Sequence, residues 1–163
     1  MRPLTEKTIR SSFLNASQRE RNSLTLPTDF DTVDWENLDF FGWRDSKLPA
    51  VGYVFGEFDG GPAGIMVRQV ESKLRSRPQC SWCEDVTLPN DVVYFIAKRA
   101  GAAGRNGNTV GTLVCANFEC SANVRTRPPL PYAGFDFDAA QQRRVAALAR
   151  NFRNFANKIR DGE

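Results

Sequence analysis

Hydrophobic positions near the start of the chain predict one helix followed by a loop. In "LTEKTIRSSFLNAS", Ile9 and Phe13 lie four residues apart, a spacing typical of an amphipathic helix with Thr5 as its N-cap. The stretch "SQRERNSLTLPTDFDTVDW" is polar and contains Pro27 and three aspartates. These residues favour turns, so we expect this stretch to be a loop.

The middle of the chain predicts two β-hairpins. "VGYVFGEF" and "GIMVRQV" are rich in aromatic and β-branched residues, and "DGGPA" between them has turn chemistry. We expect Phe40, Phe41 and Trp43 to pack beneath this first hairpin as core. "DVVYFIAKRA" and "TVGTLVC" predict a second hairpin, with "GAAGRNGN" as its flexible tip.

The last third predicts an irregular connector and a long helix. "SANVRTRPPLPYAGF" is rich in proline, whereas from Asp138 onward the pattern is helical. An apolar stripe recurs at spacings of three and four residues, formed by Val145, Leu148, Phe152, Phe155 and Ile159. We expect Asp138 to cap the start of this helix. The hairpins and the helices together predict an α+β protein.

Charge divides the chain into two parts. Residues 1–71 hold 8 basic and 11 acidic side chains, a net charge of −3, while residues 72–163 hold 14 and 8, a net charge of +6. We therefore predict an N-terminal helix and hairpin module at 1–75 and a basic module at 76–163, joined near "ESKLRSRPQ". The basic part suits nucleic acid or an acidic protein as partner.

The composition excludes several classes of function. The chain has no histidine, which removes Ser-His-Asp and Cys-His catalysis and any His-ligated metal. No apolar run is long enough for a membrane helix, and "MRPLTEKTIRSSFLN" lacks the apolar core of a signal peptide. We expect a cytoplasmic protein with no membrane partner and no small-molecule substrate.

The cysteines occur as two pairs, in "CSWC" and "CANFEC". A zinc ion takes four thiolates in a tetrahedron, and a hairpin between the pairs brings them together. The spacing predicts Cys115 at a strand end or a helix entry, and Cys120 about one turn further on. Disulfides and redox chemistry are the alternatives, but the cytosol keeps thiols reduced and no βαβ unit surrounds the motif. Cys80, Cys83, Cys115 and Cys120 are therefore the candidate ligands, and their closed shell argues against a catalytic metal and against an enzyme.

From Cys80 to the end, the order of motifs resembles the treble-clef zinc finger of the elongation factor G-binding, fusidic-acid-resistance (FusB-type) family. The region "LDFFGWRD" is also similar to the part ahead of that finger. The resemblance implies one structural zinc ion held by the four cysteines. It further implies a non-enzymatic protein that binds elongation factor G, chiefly through the finger, and promotes its release from the ribosome.

Candidate partner contacts are the basic and aromatic side chains of the finger. Trp82, between two ligands, is expected either to project outward as an anchor or to pack against the hairpin. The basic candidates are Lys98, Arg99, Arg105, Arg125, Arg127 and Arg153. Direct binding of RNA, DNA or the ribosome is the alternative function, since this half carries the net positive charge.

Overall fold

In the part of the chain described by the computed structural model, five antiparallel strands form one sheet. These residues are 1–58, 60–71, 76–87, 89–127, 132 and 134–160. The strands lie in sequence order: β1 (Phe40–Arg44), β2 (Val51–Phe58), β3 (Gly61–Gln69), β4 (Val92–Lys98) and β5 (Thr109–Cys115). The helices are α1 (Glu6–Ser11), α2 (Gln18–Ser23), α3 (Gly101–Arg105), α4 (Cys120–Arg125) and α5 (Phe137–Arg160). The predicted α+β class is confirmed.

Both predicted hairpins are present, because β2 pairs with β3 and β4 pairs with β5 along their whole lengths. The expectation for Phe40, Phe41 and Trp43 was wrong in one respect. These residues do not lie beneath the first hairpin but form β1, which pairs with β2 as a third strand. Side chains alternate along a strand, so Phe40 and Phe41 enter different cores on opposite faces of the sheet.

Each face of the sheet carries its own hydrophobic core. The N-terminal residues, including Ile9 and Phe13, cover one face together with Tyr53 and Phe55. On the other face α5 packs with the four cysteines and Trp82. The predicted α5 stripe is confirmed, with Val145 half-buried and the other members buried: Leu148, Phe152, Phe155 and Ile159.

β3 and β4 diverge after a short contact, and the N-terminal segment fills the gap. The two strands pair only at Arg68↔Ile96 and Gln69↔Phe95. Beyond this point the Asn15 side chain donates to Met66 O at 2.9 Å and to Lys98 O at 3.0 Å, and accepts from Met66 N at 2.8 Å. Asn15 thus supplies the hydrogen bonds that the missing strand pairing would have made.

Two more backbone bonds extend this contact along β3. Leu14 N donates to Gly64 O, and Gly64 N donates to Ser12 O, both at 2.8 Å.

The division into modules at residues 75 and 76 stays a prediction, and residues 72–75 lie outside the described part. The strands on either side of it, β3 and β4, belong to one sheet.

Three stretches expected to be irregular contain short helices. In the predicted loop after α1, Ser17 and Glu20 form a capping box that starts α2, and two 3-10 turns follow at Phe30–Thr32 and Trp35–Asn37. The tip of the second hairpin contains α3, and the first residues of the predicted connector form α4. Residues 128–131 and 133 of that connector lie outside the described part.

Asp136, rather than Asp138, caps the long helix. Its Oδ1 accepts from Ala139 N at 2.9 Å, and α5 begins at Phe137, so Asp138 lies in the first turn. At the other end, Arg99 Nη1 donates to Lys158 O and Ala100 N donates to Ile159 O. These two bonds join the hairpin tip to the last turn of α5.

No helix among the described residues has the length and apolar character required to cross a bilayer.

Candidate metal centre

Four cysteine sulfurs meet at one buried point between the second hairpin and the helices. Cys80 and Cys83 lie on the turn before β4, Cys115 ends β5, and Cys120 begins α4. Their Sγ atoms all lie within 4.8 Å of one another, and each residue is at most 6% exposed. Of the two places expected for Cys115, a strand end or a helix entry, the structure shows the strand end, and it is Cys120 that begins a helix.

The spacing of the sulfurs fits a tetrahedral zinc ion. Zn–S bonds of about 2.3 Å imply S···S separations of about 3.8 Å. Cys80 and Cys120 have their Sγ atoms 3.6 Å apart, and those of Cys83 and Cys115 are 3.7 Å apart. A disulfide requires about 2.05 Å, so the cysteines are free thiols in this arrangement. Four sulfurs would complete the shell of one zinc ion and leave no coordination position for a substrate.

The first cysteine pair is shaped by a tight turn. Glu84 N donates to Cys80 O at 2.9 Å. Glu84 has a positive φ of 59°, a backbone conformation that residues other than glycine rarely adopt. Within the turn, Trp82 N and Cys83 N point at Cys80 Sγ at 3.4 and 3.5 Å. Such N–H groups stabilise a thiolate, so the turn prepares Cys80 to bind a cation.

A second tight turn carries the other pair. Phe118 N donates to Cys115 O at 2.9 Å, and Phe118 has a φ of 63°. From β1, Arg44 Nε donates to Ala116 O at 2.6 Å. The loop between the two ligands is therefore held from within and from the first strand of the sheet.

Asn123 is a functional residue that the sequence analysis missed. It is 6% exposed, and its Nδ2 lies 3.3 Å from Cys115 Sγ and 3.7 Å from Cys83 Sγ. The same nitrogen lies 3.5 Å from Asn90 Oδ1. The available signal was its position on α4 three residues after Cys120, a spacing that puts both side chains on one face of a helix.

The thiols perturb one another's ionisation. Hydrogen bonds from Cys115 and Cys120 lower the pKa of Cys80, and they lower the pKa of Cys83 to about 7. Bonds with Cys115, Cys80 and Cys83, together with burial, raise the pKa of Cys120. Part of the site thus ionises readily, while the remaining protons must leave when a cation binds.

Trp82 does not project outward. It is 1% exposed, with its ring 5.1 Å from that of Phe40 and 5.3 Å from that of Phe152, both edge-on. The expectation of an exposed anchor was wrong, because the residue between the two ligands points into the core beneath α5. Trp82 packs, as the alternative expected, but its ring contacts are with Phe40 of β1 and with Phe152 and Phe155 of α5 rather than with the second hairpin.

The basic candidates divide into internal and accessible groups. Arg99 bonds to the end of α5, and Arg125 Nη1 lies 2.6 Å from Asp39 Oδ2. Arg127 lies over the ring of Phe137 at 4.3 Å, near the start of α5. The exposed candidates are Lys98 and Arg105 near the hairpin tip, Arg127, and Arg153 on α5. The candidates therefore do not form one cluster, and their role as partner contacts stays a prediction.

Two short turns, a β-hairpin between them and a helix behind the second turn form the pattern of a treble-clef zinc finger. The model of the FBP C-terminal treble-clef zinc-finger family matches residues 8–159. A solved structure of the fusidic acid resistance protein FusC is similar, with a TM-score of 0.48 and 18% sequence identity. That similarity covers 72% of this chain and 56% of FusC, so this chain spans little more than half the length of FusC. No curated protein matches the chain.

Proposed function

Because the chain belongs to the FBP C-terminal treble-clef zinc-finger family, we propose that it binds translation elongation factor G and promotes its release from the ribosome. In this proposal one zinc ion, held by the four cysteines, is structural and the protein is not an enzyme. The role is that of target protection against fusidic acid, or a housekeeping counterpart of it in translation.

The observation that carries the proposal is the closed, buried thiol site. Its four sulfurs lie within 4.8 Å of one another and are shielded from solvent. A catalytic zinc keeps a position open for water or substrate, whereas a structural zinc has all four ligands from the protein. A finger of this kind contributes a shaped surface, which supports a binding function.

The exposed basic residues of the finger suit an acidic partner surface. Lys98 and Arg105 lie at the hairpin tip, where Ala100 N bonds to the last turn of α5 and so fixes the tip. Arg153 is exposed on α5 itself. Charges of this kind accelerate and orient association with a protein of opposite charge.

Capture of purified elongation factor G, with all nucleic acid digested and no ribosomes present, tests the proposal. We expect stoichiometric capture that is lost when a strong chelator removes the metal. Lys98→Glu combined with Arg105→Glu should weaken capture at least tenfold. Arg19→Glu, which reverses the charge of an exposed residue on α2, should leave capture unchanged. Failure of the metal-loaded protein to capture the factor, with retention of RNA from an undigested lysate, would overturn it in favour of direct RNA binding.

A separate measurement addresses release. Ribosomes stalled with elongation factor G by fusidic acid are sedimented with and without the protein. We expect less factor in the pellet when the protein is present. An unchanged pellet, despite capture in solution, would contradict the release step while leaving the binding step in place.

A further inference from the structure

The outer edge of β1 has backbone groups without partners. In an antiparallel pair, every second residue bonds to the partner strand. Asp45 N donates to Val51 O, so Trp43 and Phe41, two and four residues earlier, also bond toward β2. Gly42, between them, therefore directs its N–H and C=O away from the sheet. Among the described residues, nothing bonds to either group.

Other exposed sheet positions are better covered. The β3 positions next to the gap are bonded by Ser12, Leu14 and Asn15. On β5, Leu113 O accepts from Ser81 N at 2.8 Å, which occupies part of that outer edge. Natural proteins generally protect such edges, and among the described residues the stretch at Gly42 is left open.

A groove of about 380 Å³ runs along the open edge. It lies between the 3-10 turns on one side and α4 with the second cysteine turn on the other. Its apolar lining is formed by Val33, Leu38, Phe40, Phe41, Phe118 and Ala122. A strand that paired with Gly42 could therefore place side chains against an apolar wall, as in known cases of strand addition.

The rim of the groove is acidic. Asp29 and Asp34 line it and are exposed, and the stretch 29–39 holds five carboxylates and no basic residue. Arg125, which also lines the groove, is paired with Asp39 at 2.6 Å. None of the ion pairs among the described residues involves Asp29 or Asp34. The rim thus presents uncompensated negative charge, which repels nucleic acid and attracts a basic peptide.

We propose that this groove binds an extended, lysine- or arginine-rich segment of another protein, which adds to the β1 edge as an additional strand. The backbone of the segment pairs with Gly42, alternate apolar side chains contact the groove wall, and its cationic side chains face Asp29 and Asp34. This interaction surface does not include Lys98, Arg105 or Arg153, and its occupation does not depend on elongation factor G.

The test uses the metal-loaded full chain labelled with ¹⁵N and a blocked heptapeptide of alternating lysine and valine. We expect the Gly42 amide resonance to shift and its hydrogen exchange to slow when the peptide is added. Gly111, which faces outward on the opposite edge strand, is the internal control and should not respond. A peptide of alternating glutamate and valine should bind at least tenfold more weakly.

Charge variants locate the binding site on the rim. Asp29→Asn combined with Asp34→Asn should weaken binding of the lysine peptide at least tenfold. Glu71→Gln, which changes an exposed carboxylate two residues after β3, should change it less than twofold. The proposal is overturned if the Gly42 amide does not respond, if the acidic peptide binds equally well, or if both carboxylate variants behave alike. Protection of Gly42 that rises with protein concentration in the absence of peptide would also overturn it, because a second copy would then be the occupant.

Discussion

The ring of Phe118 lies directly on Gly42. A Cβ atom added at Gly42 would come within 2.7 Å of Phe118 Cβ, and one added at Gly52 would come within 2.6 Å of Phe118 Cζ. Phe118 belongs to the turn between two cysteines, while the glycines belong to β1 and β2. Since the ring also stacks on Phe95 at 5.3 Å, the second cysteine turn packs against the sheet through Phe118.

Gly42→Ala should destabilise the protein by about 1–3 kcal/mol, because the added methyl group overpacks the contact with Phe118. Gly61→Ala is the matched control, since a Cβ at Gly61 meets nothing within 4 Å. Urea unfolding of both variants measures the difference. Equal stabilities of the two variants would show that Phe118 can move aside at no cost.

Removal of the metal should destabilise the N-terminal strands as well as the finger. The cysteines share one core cluster with Phe40 of β1 and Val54 of β2, and the family model spans both halves of the chain. We expect a chelator to lower the midpoint of thermal unfolding in a single transition that all probes report together.

Near-ultraviolet circular dichroism, which reports the aromatic residues of both halves, and amide hydrogen exchange on β2 measure this effect. A chelated protein in which β2 keeps its full protection would instead support the division at residues 75 and 76. Cys115→Ser provides the same comparison without a chelator.

Asn123→Ala should weaken zinc binding by about 10- to 100-fold, because the thiolates of Cys115 and Cys83 lose a hydrogen-bond donor. Competition with a chromophoric chelator measures the affinity. Asn117→Ala is the control, because Asn117 is exposed and bonds to Glu119 rather than to a sulfur. Similar affinities for both variants would assign Asn123 to packing alone.

Asp45 should make stability depend on acid pH. It is 4% exposed and accepts hydrogen bonds from Lys47 N, Leu48 N and the hydroxyl of Tyr53. Burial by itself would raise the pKa of Asp45, but the hydrogen bonds from Lys47, Tyr53, Leu48 and Thr25 together hold the pKa below its usual value. A lowered folded-state pKa contributes stability above the unfolded pKa of about 4, and this contribution is lost as the pH falls through the folded value.

Asp45→Asn should therefore be less stable than the wild type by about 1–2 kcal/mol at pH 7, and the difference should shrink below about pH 4. Urea unfolding at several pH values measures it, and metal release at low pH affects both proteins alike. Asp31→Asn, which changes an exposed carboxylate, should stay within about 0.5 kcal/mol of the wild type. A difference for Asp45→Asn that is constant with pH would exclude the charge as its cause.

The local patterns predicted the hairpins and the α5 stripe, and they narrowed Cys115 to a strand end or a helix entry, because each depends on a period or spacing within a few residues. β1 was missed because both of its faces are buried, so that "FFGW" shows no alternation of polar and apolar residues. The short helices were missed because capping, as by Ser17 and Glu20, can start a helix without an apolar stripe.

The site itself was predictable only in its ligands. The burial of Trp82 and the position of Asn123 beside the sulfurs depend on how α5 and α4 pack, which no local pattern encodes. The contact of Phe118 with Gly42 joins residues 76 positions apart in the sequence. Such relationships arise from the tertiary structure, so the sequence carries no nearby signal for them.

The segment from Ser12 to Asn15 has a consequence for how copies of the chain behave toward each other. It occupies main-chain groups of Gly64 and Met66 that would otherwise be free to pair with any extended chain. If this segment detaches from the sheet, the same positions can accept the corresponding segment of a second copy. The two molecules then exchange the N-terminal part of the chain up to Asn15, called the arm below. The arm of each molecule thus protects it from domain swapping for as long as it stays bound to its own sheet.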